Sequence, residues 1–305
     1  MSGPHLESVA PGVHAWIGVG GDSNAGAVET PHGLIVIDAQ QNQALGEAFR
    51  DTLKARIGAP IRAVVNTHYH LDHVAGNVAF NGVPIISHDK TLAALEREVG
   101  SFTAGGAPIT EILAKIRMFF GANFAELVPD DARAWFVECV GGASPVVILP
   151  PTDTFADQLH IRVPGDILQM EYWGPAHCDG DLAIWLQKSG VMFLGDLFFY
   201  GRVPWFGDCD LDGWIRTLDR VLQMDVKTTI PGHGPPATLK EVAQFRDLLA
   251  AVRGAVDRAL KDGSSEDAAV REVALPQYAA MPRYKEWMPF NVRAAYRYLC
   301  GFQPP

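Results

Sequence analysis

Between positions 68 and 73 the chain reads His68-Tyr69-His70-Leu71-Asp72-His73, placing three imidazoles and a carboxylate within six residues. Protonated imidazoles at that density repel one another, whereas deprotonated ones around a divalent cation attract it, so the segment points to a metal site, a surface His-rich turn being the plainer alternative. The preceding run Ile61 to Asn66 is apolar and β-branched, a buried strand that delivers the chain into the cluster. Side chains two apart on extended backbone share a face, so His68 and His70 project together from the strand end. The chain then turns, and Asp72 and His73 enter a helix and point back from a second direction.

The surrounding pattern is that of a layered α/β protein. Val13 to Val19 alternates, Asn24 to Thr30 is small and apolar, and Gly33 to Asp38 is a wholly apolar strand ended by a carboxylate. Gln41 to Ile57 carries helical spacing at Leu45, Phe49 and Leu53, and Pro84 to Ser87 is a short strand before a helical stretch near Lys90 to Val99. Strands resume after Pro151, at Gln158 to Val163, Ile167 to Trp173, Leu182 to Gln187 and Val191 to Leu194. Leu211 to Met224 is an amphipathic helix, Lys227 to Ile230 a last strand, and Thr238 to Leu260 a long helix. Two groups of strands, each followed by helices and each ending in a histidine-bearing loop, predict two sheets with helices outside. We read residues 1–305 as a single domain with a helical insertion at about 100–150, which would serve as a lid, and a helical C-terminal extension at about 238–305.

Three later residues complete a ligand set. His177 lies in the loop Gly174 to Asp181, Asp196 follows Gly195 after a strand, and His233 ends a strand in Pro231-Gly232-His233-Gly234. Each is a ligand-type residue on a strand-end loop near glycine, where functional side chains concentrate.

The ordered set His68-x-His70-x-Asp72-His73, His177, Asp196 and His233, with the strand-ending Asp38, resembles the metallo-β-lactamase superfamily over roughly Val13 to Pro236. The resemblance implies an αββα sandwich with metals at one edge between the sheets. It also implies that His68, His70 and His177 hold a first metal, that Asp72, His73 and His233 hold a second, and that Asp196 bridges them. Seven ligands exceed what one tetrahedral zinc takes and suit two ions sharing a hydroxide. The activity implied is hydrolysis, with that hydroxide attacking a small ester, thioester, lactone or amide carbonyl. Asp72, which would orient the hydroxide or carry its proton, and His233 are the catalytic candidates. The cofactors implied are two divalent ions, zinc first, with iron or manganese open. No GxSxG elbow competes with this reading.

The superfamily hosts several reactions, and the fold does not select among them. Zinc β-lactamases of the first subclass have Cys where this chain has Asp196 and a Lys three residues later, where it has Phe199; at most weak β-lactamase activity is expected. A bridging Asp resembles the glyoxalase II and lactonase pattern, and Arg283 and Lys285 are available in the C-terminal region. The alternative from another class is a mononuclear iron sulfur dioxygenase of the persulfide dioxygenase type.

Other residues carry two readings each. Asp38 fixes a ligand imidazole or ties a loop. Phe198, Phe199, Tyr200, Trp205 and Phe206 line a pocket or pack the core, as do Phe119, Phe120, Phe124, Trp135 and Phe136 in the insertion. If they line it, the substrate is a small molecule with an apolar part. Cys178 points away from the site, and His5, His14, His32, His88 and His160 are ordinary polar or packing residues. The formal net charge of −10 and the lack of a basic stripe argue against nucleic acid. No run reaches the length of a membrane span. Four cysteines without CxxC spacing, and a start without a basic and apolar leader pattern, give a cytoplasmic expectation. A homo-oligomer is open.

Overall fold

A computed structural model describes residues 3–19, 23–99 and 148–302. The first sheet has seven strands in sequential order: β1 His5–Ala10, β2 Val13–Ile17, β3 Ala25–Thr30, β4 Gly33–Ile37, β5 Ile61–Val65, β6 Ile85–His88 and β7 Asp153–Phe155. It is antiparallel from β1 to β4 and parallel from β4 to β7. The second sheet runs β12-β11-β10-β9-β8, built from β8 Gln158–Val163, β9 Asp166–Tyr172, β10 Leu182–Leu186, β11 Val191–Phe199 and β12 Thr228–His233. Only its β11/β12 pair is parallel.

The period-two alternation of side chains assigns each strand's faces. Val13, Ala15 and Ile17 of β2, with Ile35 and Ile37 of β4, enter the core between the sheets, where they meet Leu168, Met170, Ile184 and Phe193. The intervening Trp16, Leu34 and Val36 face outward onto Phe49 and Leu53 of helix α1, Gln43–Arg56. Strand β4 is therefore buried on both faces, which is why its sequence is apolar without alternation. On the far side, Met192 and Leu194 of β11 pack against Trp214 and Leu218, and these against Val242, Phe245 and Leu249. The helices there are α4 Leu211–Val221 and α5 Leu239–Lys261; α2 Leu71–Val74 and α3 Asp89–Val99 precede them, and α6 Glu266–Glu272 and α7 Tyr284–Leu299 follow. Helix α5 starts with a capping box between Thr238 and Glu241. The layers are helix, sheet, sheet, helix, as the αββα reading requires.

Two strands escaped the sequence reading. Strand β1 is half-exposed without clean alternation, and β7 is only three residues long. A third difference matters more: β11 does not stop at Leu194 but continues through Asp196 to Phe199. Gly195 adopts φ +48°, and the register with β12 shifts on either side of it. This irregularity turns Asp196 toward the sheet edge without ending the strand. The expected helical insertion at about 100–150, with its five aromatic residues, falls outside the described residues except for 148–150. No helix among the described residues is long and apolar enough to cross a membrane.

Candidate metal centre

The seven expected residues arrive at one edge of the sandwich from four places. The loop after β5 and the start of α2 bring His68 to His73, the β9–β10 loop brings His177, β11 brings Asp196, and β12 brings His233. The loop after β5 is held by backbone pairing on both sides: Asp38 N donates to Val65 O, and Leu182 N donates to Thr67 O at 2.9 Å. Asn66 and Asn77 exchange amide hydrogen bonds of 3.0 and 2.9 Å beneath it. Residues 231–234 are tied down by Asn24, whose side-chain amide donates to Pro231 O at 2.8 Å and Gly234 O at 2.6 Å.

The ligand-type atoms separate into two groups that share one residue. His68, His70, His177 and Asp196 form the first, and Asp72, His73, Asp196 and His233 the second; within each, the atoms lie within 4.8 Å of one another. Asp196 Oδ2 is 3.3 Å from His177 Nε2 and 3.8 Å from His68 Nε2. Its other oxygen, Oδ1, is 3.2 Å from His73 Nε2 and 3.5 Å from His233 Nε2. His70 Nδ1 closes the first group, 3.0 Å from His177 Nε2. Asp72 Oδ2 closes the second, 3.1 Å from His233 Nε2 and 3.7 Å from His73 Nε2.

A cation fits this donor set. His68, His73 and His177 are fully buried, yet no hydrogen bond reaches His68 Nε2, His73 Nε2 or Asp196 Oδ1. Buried polar atoms without partners are uncommon and costly. Here they converge, and imidazole nitrogen with carboxylate oxygen is the donor chemistry of zinc and its neighbours.

The backing of the imidazoles turns their lone pairs inward. Asp38 Oδ2 accepts from His73 Nδ1 at 2.8 Å and from Thr67 Oγ1 at 2.7 Å. Because the Thr67 hydroxyl donates to Asp38, it accepts from His68 Nδ1, 3.0 Å away. Both rings thus carry a proton on Nδ1 and turn Nε2 toward the centre as the nitrogen that would ligate. Asp38 fixes a ligand imidazole and ties the loop at once, since its Oδ1 also accepts from Thr67 N at 2.7 Å. It does so at φ +57°, a backbone conformation that stores strain.

In the cation-free chain, the charges distribute unevenly. Burial, helped by neighbouring His73, pushes the His68 pKa well below its ordinary value. Burial also opposes charge on His73, but Asp196, Asp72 and Asp38 outweigh it and hold that ring well above the ordinary value. Asp196 is buried, which disfavours its charge, yet His233 and His73 keep it well below the carboxylate range. Protons on the second group therefore stand where a cation would, and binding must release them.

The geometry can be set beside known proteins. Residues 18–233 match the family model described as the metallo-beta-lactamase superfamily. The chain belongs to that superfamily. Among sequence relatives it is similar to the linear primary-alkylsulfatase of Pseudomonas sp. (strain ATCC 19151), 25% identical over 299 residues that cover 90% of this chain and 56% of the relative. Among solved structures it resembles the sec-alkylsulfatase Pisa1 from Pseudomonas sp., with TM-score 0.71 and 20% identity, covering 99% of this chain and 51% of that one. A metallo-beta-lactamase from Pontibacter korlensis matches with TM-score 0.59 and 20% identity, over 81% of this chain and 99% of that one. The chain thus spans about half the length of the alkylsulfatases it matches.

Around the superfamily's ligand positions, this member carries residues the sequence reading missed. Asp208, in the β11–α4 loop, lies 3.3 Å from His70 Nε2 and accepts from the Tyr69 hydroxyl. Burial works against charge on His70, but Asp208, then Asp72 and Asp196, raise it to about 9. Arg202 is buried beside His233. Ser23 donates to Asp72 O and is itself held by Gln41. The only local signal for Asp208 is its place in Asp208-Cys209-Asp210 ahead of a helix, where Asp210 caps α4.

The remaining candidates are packing residues. Phe198 and Phe206 are in the core, and Trp205 stacks on Phe290 at 4.3 Å. Phe199 lies flat on the His233 ring at 5.1 Å and edge-on to His177, behind the ligands. Cys178 Sγ donates to Asp181 at 3.2 Å, and burial with that carboxylate pushes the thiol well up, so it offers no thiolate. His88 stacks on Tyr172 at 4.0 Å and bonds to Ala156 O, away from the ligand groups.

Proposed function

We propose that this protein is a divalent-metal hydrolase with two cations, most readily zinc, acting on a small ester-type compound that carries an apolar part. The observation that carries the reading is the division of Asp196, with one oxygen in each ligand group. One carboxylate serving two sets of imidazoles is the residue that two ions would share. When bound, such ions supply Lewis acidity, bringing the pKa of water to about 7 and polarising the bond to be broken.

The residues of the chain then have separate tasks. His68, His73, His177 and Asp196 are at most 4% exposed and form a dry floor on which charge interactions are strong. Asp72 is the open member, with 25% of its side chain exposed, so it faces substrate and water. Although burial disfavours its charge, His73 and His233 hold its carboxyl far below the ordinary range. Asp72 therefore remains a carboxylate, an acceptor that would hold and orient attacking water. His233 Nε2, 3.1 Å away, sets the direction of that carboxylate and would hold the second ion with it. Water is consumed, one ester bond breaks, and no oxidant or reductant enters.

Carbonyl esters, thioesters, lactones and amides fit this chemistry. A sulfate ester is the second reading, favoured because the alkylsulfatase comparisons extend over 90–99% of this chain, including the C-terminal helices, against 81% for the β-lactamase structure. A mononuclear iron dioxygenase needs open positions on one ion, which seven convergent ligand groups do not favour.

The test is elemental analysis of the purified chain together with a panel of ester, thioester, lactone, β-lactam, alkyl sulfate and phosphoester substrates. About two zinc per chain, activity lost to a chelator and restored by zinc, and loss of both metal and turnover in Asp196→Ala are the expected results. Full hydrolysis by Asp196→Ala would overturn the two-cation reading, as would a single iron per chain with oxygen uptake on a persulfide.

A further inference from the structure

Between the end of β11 at Phe199 and the start of α4 at Leu211 the chain has neither helix nor strand, so its buried backbone groups need partners from elsewhere. This loop carries two side chains that stand against ligand rings. The Arg202 guanidinium lies 3.5 Å from His233 Nδ1, and the Asp208 carboxylate lies 3.3 Å from His70 Nε2. A loop aims side chains less exactly than a helix or strand does unless something rigid holds it.

The C-terminal helices supply the hold. Val203 N donates to Pro282 O at 3.0 Å, just ahead of α7. Asn291, inside α7, uses both ends of its amide: Oδ1 accepts from Phe206 N at 3.1 Å, and Nδ2 donates to Pro204 O at 2.8 Å. Further along the same helix, the Tyr298 hydroxyl donates to Asp210 Oδ1 at 2.8 Å. Between these ties, Trp205 stacks on Phe290 at 4.3 Å and meets Trp287 edge-on at 5.6 Å. Asn is a poor residue for a helix interior, because its side chain competes for backbone partners. Here it is fully buried among Trp287, Met288, Phe290 and Val292, and its amide serves the loop instead of its own helix.

We propose that Asn291 and Tyr298 are positioning residues for the metal centre. From α7 they fix the loop at Pro204, Phe206 and Asp210, and through it they set Arg202 against His233 and Asp208 against His70. One ring in each ligand group is therefore steadied from the C-terminal extension, which acts at one remove from the ligands. The inference rests on the reading of those residues as cation ligands. Groups that back ligand rings typically govern metal affinity by about 10–100-fold, and a residue that holds two of them inherits part of that reach.

The experiment is a zinc titration of the chelator-stripped full-length chain against a chromophoric competitor, with amide exchange of the zinc-free chain alongside. Asn291→Leu keeps the side chain's size and removes both hydrogen bonds. Its zinc affinity should fall about tenfold, the lower end of that range, and the Val203 and Phe206 amides should exchange about tenfold faster or more. Arg293→Gln, on the same helix, controls for stability alone. It breaks the ion pairs with Glu266 and Asp267, so it should lower the melting temperature yet leave zinc affinity within about twofold, well short of an outer-group effect. An Asn291→Leu chain with unchanged loop exchange, or with a loss of zinc affinity no greater than that of Arg293→Gln, would overturn the inference. If Asn291→Leu does not fold, Tyr298→Phe decides, because it removes a single hydroxyl. Its zinc affinity should fall about fivefold, the reach of one hydrogen bond, and an unchanged affinity would overturn the inference. A wild-type chain that binds no zinc would instead remove the reading of the ligands themselves.

Discussion

Replacing Asp38 by Asn isolates the group that sets two of the ligand tautomers. The exchange is nearly isosteric, and Asn tolerates the positive φ of +57° that Asp38 adopts, so the backbone is not the variable. Asp38 accepts three hydrogen bonds while 2% exposed: from Thr67 N and Thr67 Oγ1 at 2.7 Å, and from His73 Nδ1 at 2.8 Å. An amide cannot accept all three. If its oxygen keeps Thr67 N, its NH2 meets Thr67 Oγ1 and His73 Nδ1, and the His73 proton is driven onto Nε2, toward the centre. If it flips, Thr67 N is left a buried donor without an acceptor. Either orientation loses one bond to a charged acceptor, worth about 1.5–3 kcal/mol, and weakens another by roughly 1 kcal/mol. At about 2–4 °C per kcal/mol for a chain of this class, the zinc-free variant should melt roughly 5–15 °C lower by calorimetry. Zinc affinity should fall roughly 10–100-fold in a titration against a chromophoric zinc competitor, because His73 Nδ1 has lost the acceptor that lets Nε2 ligate and a negative charge is gone. An Asp38→Asn chain that binds zinc within about twofold of wild type, an outer-shell effect well short of that range, would refute the tautomer argument.

Three further perturbations test other parts of the site. His70, at about 9 in the cation-free chain against an ordinary 6.5, contributes stability that is complete below pH 6.5 and is lost as pH rises through about 9. The zinc-free melting temperature should fall across that window and flatten in Asp208→Asn, while zinc affinity, which needs the neutral ring, should rise across it. A Cβ on Gly232 would stand 1.9 Å from Asp196 Oδ1 and 2.9 Å from Asp196 N, so Gly232→Ala should displace the bridge and abolish zinc binding, read by elemental analysis. His88→Ala removes the stack on Tyr172 and the bond to Ala156 O, and should lower stability by about 1–3 kcal/mol in denaturant melts with zinc content unchanged.

What the sequence made legible was local. His68 to His73 follow one apolar strand, and Asp196 and His233 each stand beside glycine at a strand edge, so pattern and residue type coincide within a few positions. The layers were legible for the same reason, because β2 and β4 declare their faces by period or by burial on both sides. The groups that back the ligands were not. Asp208 meets Tyr69 across 139 positions and Asn24 meets Pro231 across 207, and no short-range pattern marks either pairing. Arg202 would pass for a surface residue after a strand, yet it is buried with its guanidinium over the rings of Phe199 and Trp287. The extension of β11 through Gly195 was hidden because a glycine-aspartate pair reads as a turn unless the parallel neighbour β12 is known to continue the ladder.

Backbone strain concentrates around the same ligands. Among the described residues, three non-glycine residues have positive φ, two of which, Asp38 and Gln40, flank Ala39 directly under the ligand helix. Such conformations cost of order 1–3 kcal/mol each and persist only where neighbours over-determine them. Here they do: Ala39 N donates to His73 O, Gly76 N donates to Gln40 O at 2.9 Å, and Gln40 Nε2 donates to Ser23 O at 2.9 Å. Gly76 approaches so closely that a Cβ there would lie 1.8 Å from Ala39 O. The turn at 38–41 and the segment from Asp72 to Gly76 are thus locked as one unit, with Asp38 reaching from it to Thr67 and through Thr67 to His68. That unit presets Asp72, His73 and His68 together, so the strain stored at Asp38 and Gln40 goes into ligand direction. His233 is set differently: Asn24 ties the segment 231–234, and Arg202 and Phe199 of the second sheet stand against the ring. The second ligand group is therefore held from two parts of the fold, Asp72 and His73 by the turn at 38–41 and His233 by β12.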